Sequence, residues 1–184
     1  MMTVRRDFAE RSPVATDVVL SFGGALVIVL ATQIAINLPF TPVPITGQTF
    51  GVLVASMLLG RVRAVGAVAM YLVAGIMGAP VFANFASVSA IFDPTAGYLF
   101  GFIPMAYIAG LLAEKGWSLS YLGAITTGLV AHTIVLCIGA LVLAAFVGIG
   151  NAWAMGVEPF LLGDVVKSVA AAIVVRLATS RRKD

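Results

Sequence analysis

Asn37-Leu38-Pro39-Phe40-Thr41-Pro42-Val43-Pro44-Ile45-Thr46-Gly47 stands inside a tract, Val18 to Gly60, that carries no charged residue. The flanks are apolar enough for helices, but Pro39, Pro42 and Pro44 forbid one continuous helix. The tract therefore reads as two spans, Val18–Ile36 and Gln48–Gly60, joined by an irregular loop. Outward from it, further uncharged tracts run from Ala64 to Phe92, Pro94 to Ala113 and Gly116 to Val157. Arg61-Val62-Arg63 turns the chain into a third span, Ala64–Met77, and Gly78–Asp93 is irregular. A fourth span covers Thr95–Ala113, Glu114-Lys115-Gly116 makes a turn, and a fifth occupies Tyr121–Val147. Gly148–Pro159 then leads into a sixth at Phe160–Ala178. The expected fold is an all-α integral membrane protein, a bundle of six transmembrane helices. Its single domain, 18–178, lies between an N-terminal segment, 1–17, and a basic tail, 179–184.

Composition agrees with this reading and removes several function classes. Of 184 residues, 61% are hydrophobic and 10% charged, against about 25% charged in a soluble domain. Nineteen glycines and eight prolines are better tolerated in transmembrane helices, where neighbouring helices satisfy the freed backbone groups. One cysteine, Cys137, and one histidine, His132, are too few for a disulfide framework, a Cys/His zinc site or a Cys/His nucleophile pair. No G-x-x-x-x-G-K-[ST] string occurs, so the chain has no P-loop nucleotide site. The net charge of +3 does not indicate nucleic acid, because the basic residues are scattered between apolar runs.

Their positions instead follow the positive-inside rule. Arg5, Arg6 and Arg11 precede the first span, and Arg61 and Arg63 separate the second from the third. Lys115 follows the fourth, and Arg176, Arg181, Arg182 and Lys183 close the chain. The loops 37–47, 78–93 and 148–159 contain no Lys or Arg, so both termini are expected in the cytoplasm. The first apolar run is too long for a signal h-region and lacks an A-x-A site, which makes it a retained helix.

Spans two and three are short. Thirteen or 14 residues cover roughly 20 Å of a hydrocarbon core near 30 Å. Either both helices extend into the outer loops, or those loops descend to membrane depth. Irregular backbone survives there only when buried in protein or lining a cavity. The second alternative implies a pocket open to the outer face, lined by the loops and the outer ends of the longer helices.

Lys167 is the only basic residue of eleven that the topology keeps off the cytoplasmic side. It lies roughly 12 Å into the sixth helix, with Asp164 three positions earlier on an adjacent part of the same face. A charge near a helix centre costs about 2.5–3.5 kcal/mol, and an exposed i,i+3 pair returns only about 0.2–0.5 kcal/mol. Further partners, water or a polar ligand are therefore expected; snorkelling or a structural ion pair is the alternative. A carboxylate and an ammonium facing one space suit a small molecule with adjacent N–H and C=O groups. Thr46, Gln48, Asn84 and Tyr98 offer neutral donors and acceptors, and Phe82, Phe85, Phe92 and Trp153 offer apolar walls. Ala31 and Ala35 have the spacing that lets a helix approach another closely. His132 has no local carboxylate and reads as an interhelical hydrogen-bonding residue, and Cys137 reads as core.

Four strings carry a resemblance: Pro42-Val43-Pro44-Ile45-Thr46-Gly47-Gln48-Thr49, Gly78-Ala79-Pro80-Val81-Phe82-Ala83, Pro94-Thr95-Ala96-Gly97-Tyr98-Leu99-Phe100-Gly101-Phe102 and Pro159-Phe160-Leu161-Leu162-Gly163-Asp164-Val165-Val166-Lys167. In this order they resemble the signatures of the BioY family. Asp93 and Ala96 stand where that family has glycines. The resemblance implies a biotin-binding S component of an energy-coupling factor (ECF) transporter, multi-pass in a prokaryotic cell membrane, non-enzymatic and without a cofactor. Asp164 and Lys167 then correspond to polar contacts with biotin, and Thr46, Gln48, Asn84, Tyr98 and Phe82 to further lining. Ala31 and Ala35 correspond to contacts with a transmembrane coupling protein, which works with a pair of ATPases. An S component for another vitamin, an intramembrane enzyme using Asp164, and an assembly subunit are the competing readings. The enzyme lacks a convincing second catalytic group.

Overall fold

The computed structural model describes residues 14–180. Helix α1 covers Val14–Thr32 and so stops before the expected Ile36. Its end is set by side-chain and strand bonding: Thr32 Oγ1 donates back to Ile28 O at 2.7 Å. Beyond it β1, Ala35–Ile36, pairs antiparallel with β2, Ile45–Thr46, with Ala35 opposite Thr46. The two ends of the proline-rich loop are thereby clamped together. Ala35 lies in a strand, so Ala31 and Ala35 do not share the helical face that their spacing suggested. Ala31 packs inward, where a methyl at Gly51 would sit 3.0 Å from its Cβ.

Because α1 begins at Val14, the last residues of the expected N-terminal segment are helical, including Asp17. Arg5, Arg6, Arg11, Arg181, Arg182 and Lys183 lie outside the described residues.

Helix α2, Gln48–Leu59, and helix α3, Arg61–Ile76, meet at Gly60, whose φ of 78° is open to glycine at no steric cost. They measure about 18 Å and 24 Å, and neither extends into its flanking loop. The additional length of α3 lies at its Arg61 end. Shortness is tolerated in α2 because it is surrounded by protein: residues 51–57 are all buried, and α1, α3, the following helix α4 (Ala96–Glu114) and the last helix pack around it. An apolar helix without a polar face belongs in such a position.

Helix α5 spans Tyr121–Val147, a short α6 occupies Ile149–Gly156, and α7 runs over Glu158–Ser180. Among the described residues, six helices have twelve residues or more, the number of spans expected; α6 lies where a loop was expected. Three of them, α1, α4 and α5, are long and apolar enough to cross a membrane. Val19, Phe22 and Leu30 on α1 and Val165, Val166 and Ile173 on α7 are exposed, an outer surface suited to an apolar solvent.

One end of the bundle is tied by charge. Arg63 Nε is 2.7 Å from Asp17 Oδ1, the Arg61 backbone N–H donates to Glu114 Oε1 at 2.8 Å, and Arg176 lies 5.5 Å over the Tyr121 ring. Close approach there depends on Gly110, where a methyl would run into the Arg61 backbone. The other end is irregular. It holds the proline-rich loop, two 3-10 turns at Ala83–Phe85 and Val88–Ile91, and α6.

Candidate functional site

A cavity of about 230 Å³ lies between this irregular end and helices α2, α4, α5 and α7. Thr46, Gln48, Phe82, Asn84, Tyr98, Asp164 and Lys167, the residues singled out in the sequence, all line it.

The α7 wall is charged. Asp164 is only 5% exposed, and its Oδ1 lies 3.6 Å from Lys167 Nζ, one helical turn away. Lys167 Nζ also donates to Thr49 Oγ1 on α2 at 3.1 Å, which ties the wall across the cavity. The other carboxylate oxygen, Oδ2, is buried and has no hydrogen-bond partner among the described residues. A buried acceptor of this kind is costly unless a donor reaches it.

The α2 wall is neutral and internally bonded. Thr46 Oγ1 donates to Gln48 Oε1 at 3.0 Å, and Gln48 Nε2 donates to the Tyr71 hydroxyl at 2.6 Å. That hydroxyl lies 3.3 Å from Thr32 Oγ1, so the chain of bonds reaches back to the end of α1. Phe82 is almost fully buried and meets Tyr71 edge-on with ring centroids 5.2 Å apart. It can sit there because Gly75 presents no side chain; a methyl would collide with the Phe82 ring.

The irregular end is cross-tied above the cavity. Asn84 Nδ2 donates to Asn37 Oδ1 at 3.0 Å, and Thr41 Oγ1 donates to Met155 O at 2.7 Å. Tyr98 OH donates to Gly156 O at 2.8 Å, its ring laid against Gly139, where a methyl would overlap it. Asp93, which departs from the family string, supplies the turn by a different device. Its Oδ1 accepts from Thr95 N at 2.7 Å and Thr95 Oγ1 at 2.5 Å, opening α4 without a glycine.

Other sequence expectations fall elsewhere. Phe85, Phe92 and Trp153 are exposed and do not line the cavity, and Cys137 is exposed rather than core. The buried positions beside Tyr71 and Tyr98 are held instead by Phe82 and Phe160. His132 does bond between helices, through Nδ1 to Ser168 Oγ at 3.2 Å, but a carboxylate is also present: Asp164 Oδ1 lies 3.4 Å from its Nε2. Sequence reading missed this, together with Thr49, Asn37 and Phe160 in the lining, because each partner is distant along the chain. Among the described residues no group of three or more His, Cys, Asp and Glu is placed to hold a metal.

A bundle of six helices, three of them long and apolar enough to cross a membrane, with a cavity of mixed polar and apolar lining at one end, is the architecture of a polytopic helical membrane protein. The chain belongs to the BioY family, whose model matches residues 2–184. It is 40% identical to the biotin transporter BioY of Thermotoga maritima, over 76% of this chain and 82% of that protein. It is 35% identical to the biotin transporter BioY of Rhizobium etli, over 83% of this chain and 86% of that one. The crystal structure of the S-component for biotin from an ECF-type ABC transporter shares the fold, with a TM-score of 0.79 at 24% identity, covering 91% of this chain and 92% of that chain.

Proposed function

We propose that this chain binds biotin in the cavity and serves as the membrane-embedded substrate-specificity subunit of an ECF-type transporter. Membership of the BioY family supports the substrate, and the unpartnered Asp164 Oδ2 is the observation that carries the site. A ureido ring presents two N–H donors beside one C=O acceptor. A carboxylate accepts from the former, and an ammonium donates to the latter. Asp164 and Lys167 provide that pair in fixed register on α7. Thr46, Gln48, Asn84 and Tyr98 supply further polar contacts, and Phe82, Leu99, Phe102 and Phe160 bound the apolar part of the ligand.

Arg61, Arg63, Lys115 and Arg176 gather at the end opposite the cavity. By the positive-inside rule that end faces the cytoplasm and the cavity opens outward in a prokaryotic cytoplasmic membrane. With no P-loop in the chain, energy comes from a coupling membrane protein and a pair of ATPases.

The test is equilibrium binding of radiolabelled biotin to the purified full chain in detergent. Saturable binding is expected, and biotin analogues with a damaged ureido ring should not compete. Absence of binding by protein that melts cooperatively would discard the reading.

A further inference from the structure

His132 is the only histidine in the chain. It does not line the cavity; it stands on α5 behind Asp164. Its Nδ1 is 2.9 Å from Gly128 O and 3.2 Å from Ser168 Oγ. A carbonyl only accepts, and the Ser168 hydroxyl directs its hydrogen to Asp164 O at 2.7 Å. Both neighbours of Nδ1 are therefore acceptors, which places a hydrogen on Nδ1. A neutral ring then turns a lone pair at Nε2, a buried atom without a hydrogen-bond partner among the described residues, toward Asp164 Oδ1, 3.4 Å away. Two acceptors facing each other in a buried site repel. A proton on Nε2 converts the repulsion into an attraction and leaves Asp164 a carboxylate.

The remaining groups around Asp164 do not replace that proton. Lys167 Nζ approaches the same oxygen, Oδ1, and is shared with Thr49. From α4, the Tyr98 hydroxyl is committed to Gly156 O. The α2 wall contributes neutral groups to the lining. Oδ1 thus faces His132 and Lys167, and Oδ2 is the oxygen left without a partner.

We propose that His132 is a positioning residue: a proton held between its Nε2 and Asp164 Oδ1 fixes the rotation of the carboxyl group, so that Oδ2 is the acceptor presented to the ligand. This rests on the biotin-binding reading above and adds to it a residue that acts without touching the ligand. His132 also joins α5 to α7 through Nδ1, where Gly128 lets the helices close: a methyl there would sit 2.8 Å from Ser168 Cβ. The two ring nitrogens therefore have separable tasks, one structural and one orienting.

Two substitutions separate them. His132→Gln carries an amide N–H out to the position of Nε2 and keeps a donor for Asp164. His132→Asn reaches only the position of Nδ1, so it keeps the tie to Gly128 and Ser168 and leaves Oδ1 one partner short. In equilibrium biotin binding with purified full chain, Gln is expected to stay within about threefold of the parent and Asn to bind about tenfold more weakly. Thermal melts of the ligand-free proteins check that both fold. The reverse order, Asn like the parent and Gln weak, would reduce His132 to an interhelical tie and overturn the proposal. Parent-like binding by both variants would overturn it alone, whereas a parent chain that binds no biotin overturns the functional reading as well.

A second readout needs no ligand. Untagged protein labelled with [15N]histidine gives the signals of one imidazole. Asp164→Asn is expected to move the Nε2 signal and leave Nδ1 nearly in place; an unmoved Nε2 would show that no proton is shared.

Discussion

On the α2 wall of the cavity both polar atoms of the Gln48 amide are engaged, by Thr46 and by Tyr71, whereas on the α7 wall Asp164 keeps one oxygen buried without a partner. The neutral wall gains little from a ligand, because its bonds already exist and must be shared or exchanged. The charged wall has an acceptor still to satisfy, in surroundings where an unmet polar group is costly. Under the proposed biotin-binding reading, the difference assigns rigidity and shape to one side and most of the polar binding energy to the other.

That division is open to direct attack. The largest loss is expected for Asp164→Asn, which removes the charge and turns one acceptor into a donor. Biotin affinity should fall by about 2–3 kcal/mol, the range for hydrogen bonds to charged groups, in equilibrium binding on folded protein. An equal loss on Gln48→Ala would break the comparison, since the satisfied wall would then matter as much. Lys167→Ala comes next, at about 1.5–2 kcal/mol of affinity, because it removes the ammonium donor and the tie to Thr49 together. Its own signature is a looser cavity, seen as faster hydrogen exchange at the start of α2.

Tyr71→Phe should matter least for binding and more for folding. It leaves Gln48 Nε2 without an acceptor in a buried site, at a cost of about 1–2 kcal/mol in stability, measured by thermal or denaturant unfolding. Biotin affinity should change by less than about threefold. A large affinity loss here would sharpen the picture differently, by making the Gln48 amide a direct ligand contact whose orientation Tyr71 holds.

Much of this architecture was legible along the chain because its punctuation is chemical. Glu114-Lys115-Gly116 and the three prolines mark turns that no apolar tract can disguise, and span five has the bounds read from sequence; Arg61-Val62-Arg63, read as a turn, instead opens α3, and the chain turns at Gly60. The end of α1 was not legible. Nothing in Thr32-Gln33-Ile34 breaks a helix; the break comes from strand pairing with residues across the proline-rich loop, a tertiary term. The site divides in the same way. Asp164 and Lys167 announce each other at i,i+3, but His132 shows no carboxylate in its own segment and acquires one only when α5 packs on α7.

The burial of α2 carries a consequence for how the polypeptide is made. Twelve residues, apolar all round and about 18 Å long, form no stable span alone. The helix holds its depth only when α1, α3, α4 and α7 enclose it. Because α7 follows α1 to α4 in the chain, that side of α2 stays unenclosed until α7 is in place. Closing that side and installing Asp164 and Lys167 are the same event, so the side chains proposed to hold the ligand arrive only with the helix that completes the enclosure of α2.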